Sequence, residues 1–286
     1  MPRKHFDLVV FADLDITVDY AMNYLAPKVG LSWAWDLQQT LRQGPQVENK
    51  LKIALNSLDM LIVDSMGVEK IAKDLGLCAQ KIFRAPYGID IEKYPFRQFR
   101  NFRKGKLRVY SNRRWEPLYR PHILLEMAQE FSNNGEKIEL VLANDGSLRA
   151  PLTKKYSELF NNGSCVWRGQ VSRQQNIIEL QMADFYISVS KSDGSSLSLL
   201  EAMAIGTPTV VTDNPANTEW IGEDMSEYLF SGNSGAELAR KIQNLALNST
   251  NVQDLCNQSR EKILREADWN LIRGQLLARI SEAILE

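Results

Sequence analysis

Two carboxylates, Asp193 and Glu201, stand eight residues apart near a predicted helix N-terminus. The backbone N–H groups of Ser195–Leu197 and the helix dipole attract anions there, by roughly 0.3–1 kcal/mol per charge when the site is exposed. Glu201 follows inside an otherwise apolar helix, between Leu200 and Ala202. A solvated carboxylate needs no explanation, whereas a half-buried one needs partners, for which sugar or ribose hydroxyls are well suited.

A predicted βαβ unit positions these residues. The apolar run Phe185–Val189 predicts a short buried strand, and the polar turn Ser190–Ser196 supplies serines that can cap a helix. The apolar stretch from Leu197 to Ala204 predicts that helix, and Thr209–Thr212 predicts a second strand. Because strand, helix and strand follow closely, the two strands are expected to be parallel neighbours. The carboxylates then lie at the carboxyl edge of a parallel sheet.

The stretch from Ala183 to Ile221 resembles the signature region of the family-4 glycosyltransferases, which have the GT-B fold of two facing Rossmann-like domains. The sequence LLEAMAIGTPTVV matches the family's LLEAMA-x-G-x-P-x-V pattern. The family has two acidic residues eight apart, usually both Glu, where this chain has Asp193 first. The resemblance implies that Glu201 accepts ribose hydroxyls of a nucleotide-sugar donor and that Asp193 accepts a sugar hydroxyl. The loop residues implied to bind the donor are Gly194, Ser195, Ser196 and Leu197.

Three further turns resemble donor-binding turns of the family. Arg113 matches an arginine that binds the donor's diphosphate, and Arg114 or Arg120 stands in for a lysine that usually follows. The resemblance assigns both roles and counts Arg113 with Asp193 and Glu201 among the catalytic residues. The other positions implied to contact the donor lie in two turns, the second beside the nucleotide base: Asn144 and Gly146, then Arg168, Gly169 and Val171. On the acceptor side the resemblance implies Trp35 and Asp36.

Strand and helix patterns alternate along the whole chain, which predicts an α/β protein with doubly wound parallel sheets. Strand candidates are Leu8–Ala12, Val29–Trp33, Met60–Asp64, Ile82–Ala85, Leu107–Tyr110, Ile138–Ala143, Cys165–Arg168, Phe185–Val189, Thr209–Thr212 and Tyr228–Phe230. Helix candidates are Val47–Ser57, Pro121–Phe131, Leu152–Phe160, Gln174–Met182, Leu197–Ala204, Asn217–Gly222, Ala236–Leu247 and Val252–Glu286.

The domain boundaries follow from the resemblance. Pro86–Asp90 is similar to the family's crossover P-x-G-[VI]-D, with Gly88 expected to permit a tight turn; a plain surface turn is the alternative. We expect residues 1–90 to form a partial N-terminal acceptor-side domain, because FDLVVF resembles the middle of the family's first domain. Residues 91–265 are expected to form the nucleotide-sugar-binding domain. Residues 266–286, which include Trp269, are expected to form a helix that packs back on the first domain.

Composition narrows the classes of function. The net charge of −1 and the pI of about 6.2 imply no general affinity for polyanions. The basic, aromatic segment from Glu92 to Lys106 could be a nucleic-acid patch, but the balanced charge favours a solvated linker. Three isolated cysteines and two distant histidines form no metal-binding pattern, so no metal is expected. No signal peptide or transmembrane-length run is present, which predicts a cytoplasmic protein, with contact to the inner face of the membrane left open.

The resemblance to the family-4 glycosyltransferases implies a retaining glycosyltransferase without a cofactor, whose substrate is a nucleotide-diphosphate sugar and whose acceptor is a saccharide or a lipid-linked molecule. Polysaccharide or glycoconjugate synthesis at the cell envelope is the expected context. The alternative is a non-catalytic nucleotide-sugar-binding module, or half of a split transferase that needs a partner chain for the missing units. A sugar-nucleotide epimerase is a third option, for which the chain offers few suitable cleft residues. No nucleic-acid partner is expected.

Overall fold

The structure, a computed structural model, describes residues 6–11, 26–32, 41–98, 102, 105–247 and 252–285, with side chains to residue 282. The chain divides into two compact units. Unit 1 comprises Met1–Asp90, Asp193–Ser195 and Glu266–Glu286, and unit 2 comprises Ile91–Ser192 and Ser196–Arg265. Strands and helices are numbered below in chain order.

Unit 1 contains a parallel sheet in the order β1-β2-β3-β4 among its described residues. The strands are β1 (Val9–Phe11), β2 (Lys28–Ser32), β3 (Met60–Val63) and β4 (Ile82–Arg84). The helices among the described residues of this unit are α1 (Pro45–Ser57), α2 (Met66–Asp74) and α11 (Trp269–Leu285). All strand pairs in this sheet are parallel, as the alternating pattern predicts.

The two faces of this sheet bury different side chains. Leu61 of β3 packs with Leu51 and Leu55 of α1, whereas its neighbour Ile62 packs with Ile272 of α11. Successive strand residues point to opposite faces, so α1 and α11 cover opposite sides of the sheet. Ile272 is thus part of the same core as Val29, Met60 and Ala85.

Gly88 is required for a reason other than the predicted one. Its φ lies outside the left-handed region, so no tight turn demands glycine. A Cβ there would instead lie 2.7 Å from the Trp269 ring, and 3.0 Å from the Trp269 Cα. The adjoining backbones are tied by hydrogen bonds from Trp269 N to Ile89 O (2.9 Å) and from Ile89 N to Ala267 O (2.6 Å). Close approach of α11 therefore explains the glycine.

Unit 2 contains a six-stranded parallel sheet in the order β10-β9-β8-β5-β6-β7. Its strands are β5 (Leu107–Ser111), β6 (Ile138–Ala143), β7 (Cys165–Gly169), β8 (Phe185–Ser188), β9 (Thr209–Thr212) and β10 (Leu229–Phe230). Counted from β5, this is the doubly wound order 3-2-1-4-5-6, which confirms the predicted fold class. The order reverses between β5 and β8, and ligands bind at the carboxyl ends of strands beside such a reversal.

The helices of unit 2 flank this sheet. They are α3 (Pro121–Asn133), α4 (Arg149–Lys155), α5 (Ser157–Asn161), α6 (Arg173–Met182), α7 (Leu197–Ile205), α8 (Pro215–Ile221), α9 (Gly235–Leu247) and α10 (Val252–Glu266). The single helix predicted for Leu152–Phe160 is two short helices that meet at Tyr156. The tail after Val252 is likewise two helices, α10 and α11. No helix in the described part of the chain is long and apolar enough to cross a membrane.

The segment after Glu92 is only partly the solvated linker that was predicted: Glu92, Lys93 and Gln98 are exposed, whereas three other side chains pack on unit 2. Tyr94 is 4% exposed. Arg97 donates to the carbonyls of Gln181 (2.5 Å) and Ala183 (2.7 Å), and the Phe102 ring stacks on Phe185 at 4.7 Å. Because the aromatic rings bury against unit 2 and the guanidinium finds carbonyl acceptors, this basic segment is part of that unit's packing.

Candidate functional site

The carboxyl ends of β5 and β8 present the residues for which chemistry was predicted. Asn112 and Arg113 follow β5 directly, and the turn after β8 leads into α7, with Ser196 at its N-cap. The apolar residues of α7 from Leu199 onward are buried, among them Leu200 and Ala202. Burial of that helix against the sheet fixes its N-terminus at the reversal point of the strand order.

Arg113 lies against the start of α7. Its Nη1 donates a hydrogen bond to Ser196 Oγ at 2.7 Å, and its guanidinium lies 4.4 Å from the centre of the Tyr119 ring. The Ser196 side chain makes no capping bond to α7, unlike Ser172, whose Oγ accepts from Gln175 N at the start of α6. Of the turn serines that can cap a helix, Ser196 takes the N-cap position, but its side-chain oxygen accepts from Arg113. A guanidinium beside a helix start without a side-chain cap favours an anion.

Glu201 is buried, with 9% of its surface exposed. Its Oε1 accepts from Tyr94 OH at 2.6 Å, and its Oε2 accepts from Asn176 Nδ2 at 2.9 Å. Burial raises the pKa of this carboxyl, and the two hydrogen bonds lower it in part. A solvated position is thus excluded. Two oxygens offer about four acceptor positions, so the carboxylate has capacity for further donors.

A polar network extends from Glu201 to the end of β5. Asn176 Oδ1 accepts from Tyr110 OH (2.8 Å) and from Asn112 Nδ2 (3.0 Å). Asn112 Oδ1 in turn accepts from Tyr186 OH at 3.1 Å. Each of these side chains is buried. The network joins α6, α7, β5 and β8 beneath the candidate site.

The turn after β6 approaches the β5 turn closely. A Cβ on Gly146 would lie 2.5 Å from the Trp115 carbonyl oxygen, so only glycine fits there. Asn144 takes a left-handed conformation with φ +63°, which asparagine tolerates better than most residues. Its Nδ2 donates to Asn112 O at 2.5 Å. A cavity of about 590 Å³ opens here, lined by Arg114, Asn144, Asp145, Gly146 and Gln170.

The turn after β7 contains Gln170, which lines this cavity, and the predicted donor residues Gly169 and Val171 are its neighbours in the chain. Gly169 has φ +67° and its carbonyl accepts from Asn144 N at 2.6 Å. Val171 is half-buried. The Arg168 side chain is directed to the protein, because its Nε donates to Glu179 at 3.1 Å. Donor binding by this turn stays a prediction.

The two arginines considered for the second phosphate contact differ in their surroundings. Arg120 is buried, and its guanidinium donates to Val189 O and Asn233 Oδ1, both at 2.6 Å. These bonds tie the end of β8 to the turn before α9. Arg114 is exposed and lines the cavity. Of the two, Arg114 has the more accessible side chain.

The segment Asp193–Ser195 packs within unit 1. Ser195 N donates to Asp64 Oδ2 at 3.1 Å, and Ser195 Oγ donates to the Asp64 carbonyl. The expectation that the Ser195 amide is available to an anion is therefore wrong in this structure. Gly194 is buried and Asp193 half-buried, whereas Leu197 on α7 is 45% exposed.

Two further predictions concern the acceptor-side residues and a metal site. Trp35 and Asp36 lie outside the described residues, so the acceptor-side prediction stays untested. In the part of the chain that the structure describes, no group of three or more His, Cys, Asp or Glu side chains is placed to hold a metal ion.

Sequence reasoning missed the polar partners of Glu201. Asn176 lies beside the apolar Ile177 in α6, and an amide among buried helix positions is a weak signal that it has a specific partner. Tyr94 carries no periodic signal, because it lies outside helix and strand, after the short 3₁₀ helix Ile91–Lys93. Asn112 could have been singled out as the residue between β5 and Arg113.

The family model for glycosyl transferases group 1 matches residues 92–263. Alpha-monoglucosyldiacylglycerol synthase of Streptococcus pneumoniae is 31% identical over 97 residues, which are 34% of this chain and 22% of that protein. Poly(ribitol-phosphate) alpha-N-acetylglucosaminyltransferase of Staphylococcus aureus is 24% identical over 156 residues, which are 54% of this chain and 31% of that protein. The matched stretches thus span less than a third of these relatives.

Solved structures agree with this fold. The crystal structure of Anabaena Alr3699/HepE in complex with UDP superimposes with a TM-score of 0.79 at 15% identity, covering 97% of this chain and 79% of that one. At this identity the likeness shows the fold, which is of the GT-B type. Since the family model spans more than half of the sequence, the chain belongs to the glycosyl transferases group 1 family.

Proposed function

We propose that the chain is a retaining glycosyltransferase that takes a sugar from a nucleotide-diphosphate-sugar donor to a saccharide or lipid-linked acceptor. The observation that carries the proposal is the hydrogen bond from Arg113 to Ser196, which holds a guanidinium at the start of α7. This is the arrangement that a diphosphate requires, since its charge meets both a fixed cation and the positive end of a helix. UDP is the first ligand to test, because the similar Anabaena protein was crystallised in complex with UDP.

In this proposal the donor's charge is met by protein groups. Arg113 binds the diphosphate, and exposed Arg114, on the cavity beside Asn144 and Gly146, supplies the second cation. As the sugar leaves, negative charge grows on the diphosphate, and preorganised cations and amides lower the barrier for that step. Departure of the diphosphate needs no proton transfer to it from these groups.

Glu201 binds the ribose in this proposal. Its acceptor capacity beyond Tyr94 and Asn176 suits a pair of hydroxyls, because each hydroxyl donates one hydrogen bond. Burial strengthens such bonds through the low local dielectric. Asp193 keeps its predicted role as acceptor for a sugar hydroxyl. The turn Gly169–Val171 keeps its predicted place beside the base.

The acceptor and the setting are proposed more broadly. One relative is named as a synthase of alpha-monoglucosyldiacylglycerol and another as a poly(ribitol-phosphate) alpha-N-acetylglucosaminyltransferase, and these names support a lipid or polymer acceptor in envelope glycan synthesis. A cytoplasmic place, at or near the inner face of the membrane, is the setting in which such a donor and such an acceptor meet.

The first experiment removes the guanidinium of Arg113. Arg113→Ala should lower affinity for UDP by roughly 1.5–3 kcal/mol, the worth of hydrogen bonds to a charged group. Uridine affinity should change little, since the nucleoside lacks the diphosphate that Arg113 meets. Isothermal titration of both ligands measures the two losses, and Arg240→Ala, which removes an exposed arginine of α9, is the matched control.

Equal losses for UDP and uridine would contradict the assignment of Arg113 to the diphosphate. A panel of UDP, ADP, GDP and CDP covers the choice of base, and binding of none of the four would overturn the proposed donor site. Release of UDP from a UDP-sugar in a mixture of lipid and saccharide acceptors then separates a transferase from a module that binds without turnover.

A further inference from the structure

We propose that Asn176 is a positioning residue, which holds the Glu201 carboxylate in the orientation that receives the ribose hydroxyls and ties it to the Arg113 turn. The proposal rests on the proposed function, because it concerns the same donor site. It adds a residue that acts on the ligand through Glu201.

The orientation of the Asn176 amide is fixed by its partners. Its nitrogen faces the Glu201 carboxylate, to which it donates at 2.9 Å, and its oxygen accepts from Tyr110 OH and Asn112 Nδ2. A flipped amide would set its oxygen against a carboxylate and its nitrogen against a donor, which leaves buried groups unsatisfied. Asn176 itself is 6% exposed, so water does not replace these partners without rearrangement.

The same amide connects the two ends of the proposed ligand site. Asn112 precedes Arg113, and the Asn112 carbonyl accepts from Asn144 Nδ2 at 2.5 Å. The path from the ribose to the diphosphate runs from Glu201 through Asn176 to the Asn112 side chain, and Arg113 is the next residue in the chain. One buried side chain sets the distance between the carboxylate and the guanidinium turn.

Two substitutions separate the functions of the amide. Asn176→Asp keeps an oxygen for Tyr110 and Asn112 but replaces the donor to Glu201 with a second carboxylate. Asn176→Ala removes both functions without adding a charge. Because either change can affect folding, the readout is a ratio of two affinities measured on the same folded protein, with thermal unfolding recorded beside it.

The probes are UDP and dideoxy-UDP, the analogue that lacks both ribose hydroxyls. In the wild-type chain UDP should bind roughly tenfold or more tightly than dideoxy-UDP, the effect of losing hydrogen bonds to a charged group. Both Asn176 variants should lose most of this ratio, and dideoxy-UDP affinity should change little in Asn176→Asp, which keeps an acceptor for Tyr110 and Asn112. Asn133→Ala, which removes an exposed asparagine at the end of α3, should leave the ratio unchanged.

A double mutant tests whether Asn176 acts through Glu201. Adding Asn176→Ala to Glu201→Gln should cause no further loss of the ratio, since the two residues then act as one unit. Equal loss of UDP and dideoxy-UDP affinity in the Asn176 variants overturns the positioning role and leaves the proposed function standing. A wild-type chain that binds both nucleotides equally overturns the ribose role of Glu201, and the positioning role with it.

Discussion

Unit 2 buries two glutamates, Glu179 and Glu201, and surrounds them with different partners. Glu179 is 1% exposed and receives hydrogen bonds from Arg108 Nη2 and from Arg168 Nε (3.1 Å). Glu201 receives its hydrogen bonds from a tyrosine and an asparagine, both neutral. No ion pair to Glu201 occurs among the residues that the structure describes, and Arg173 acts on it only at longer range.

The difference indicates which carboxylate serves stability and which serves a ligand. Two cations offset the charge of Glu179 and occupy its oxygens, so a ligand would gain little there. Glu201 is buried with neutral hydrogen-bond partners, and burial raises the pKa of its carboxyl, so its charged form gains if a ligand supplies further donors. Buried titratable groups of this kind are concentrated at functional sites.

The partner Arg108 of Glu179 and the polar network of Glu201 also reach opposite ends of strand β5. Arg108 and Glu139, which form an ion pair with each other, stand at the beginnings of β5 and β6. Asn112, which the Glu201 network reaches, follows the end of β5. In open α/β sheets the carboxyl ends of the strands bind ligands, so the ion cluster lies where stability is expected to dominate.

Breaking the Glu179 cluster should give the largest effect. Glu179→Gln leaves the buried Arg108 with Glu139 as its remaining carboxylate partner, and loss of a buried ion-pair partner costs about 3–5 kcal/mol of unfolding free energy. Urea unfolding measures this loss, with Glu261→Gln as the control for removing an exposed charge. The ratio of UDP to dideoxy-UDP affinity should stay at its wild-type value. A stability change no larger than that of the control would contradict the comparison.

Glu201→Gln should give the opposite pattern. The glutamine amide can donate to the Tyr94 oxygen and its carbonyl can accept from Asn176, so the fold should lose less than about 1 kcal/mol. Affinity for UDP should fall by roughly 1–3 kcal/mol, because a charged acceptor for the ribose is lost. Titration calorimetry with UDP gives the second value and urea unfolding the first. Unchanged UDP affinity would place Glu201 with Glu179 as a structural carboxylate.

The sequence predicted the strands and the fold class well, because their signals are local. Thr209–Thr212 is β9 as predicted, and Ile138–Ala143 is β6. Short β-branched and apolar runs between turn residues identify buried parallel strands, and alternation with helices restricts their connections. The placement of Glu201 inside an apolar helix was also visible in the sequence.

The partners of the site residues could not be predicted, because they are distant in sequence. Tyr94 and Glu201 are 107 positions apart, and Arg113 and Ser196 are 83 apart. Ser196 could cap α7 or accept from another side chain, and only the fold decides between them. Gly88 shows the same limit, because a glycine indicates a constraint without telling a left-handed turn from the approach of Trp269.

The smallest effect expected is a pH dependence of stability caused by Glu201. Burial raises the pKa of its carboxyl in the folded protein above the unfolded value. At low pH the group is neutral in both states and carries no penalty. As pH rises, the unfolded chain releases the proton first, so the stability contributed by the protonated group is lost as pH rises through the folded pKa. Glu201→Gln lacks this loss.

The free energy of unfolding of Glu201→Gln, relative to wild type, should therefore increase from about pH 4 to about pH 7. Urea unfolding at several pH values measures the difference, and Glu261→Gln gives the reference for removing one exposed carboxylate. If the unfolding free energy of Glu201→Gln fell relative to wild type over this range, the folded protein would stabilise the charged form of Glu201. The neutral partners Tyr94 and Asn176 do not account for such stabilisation. Glu201 would then resemble Glu179, and the distinction between a ligand-binding and a structural carboxylate would no longer hold.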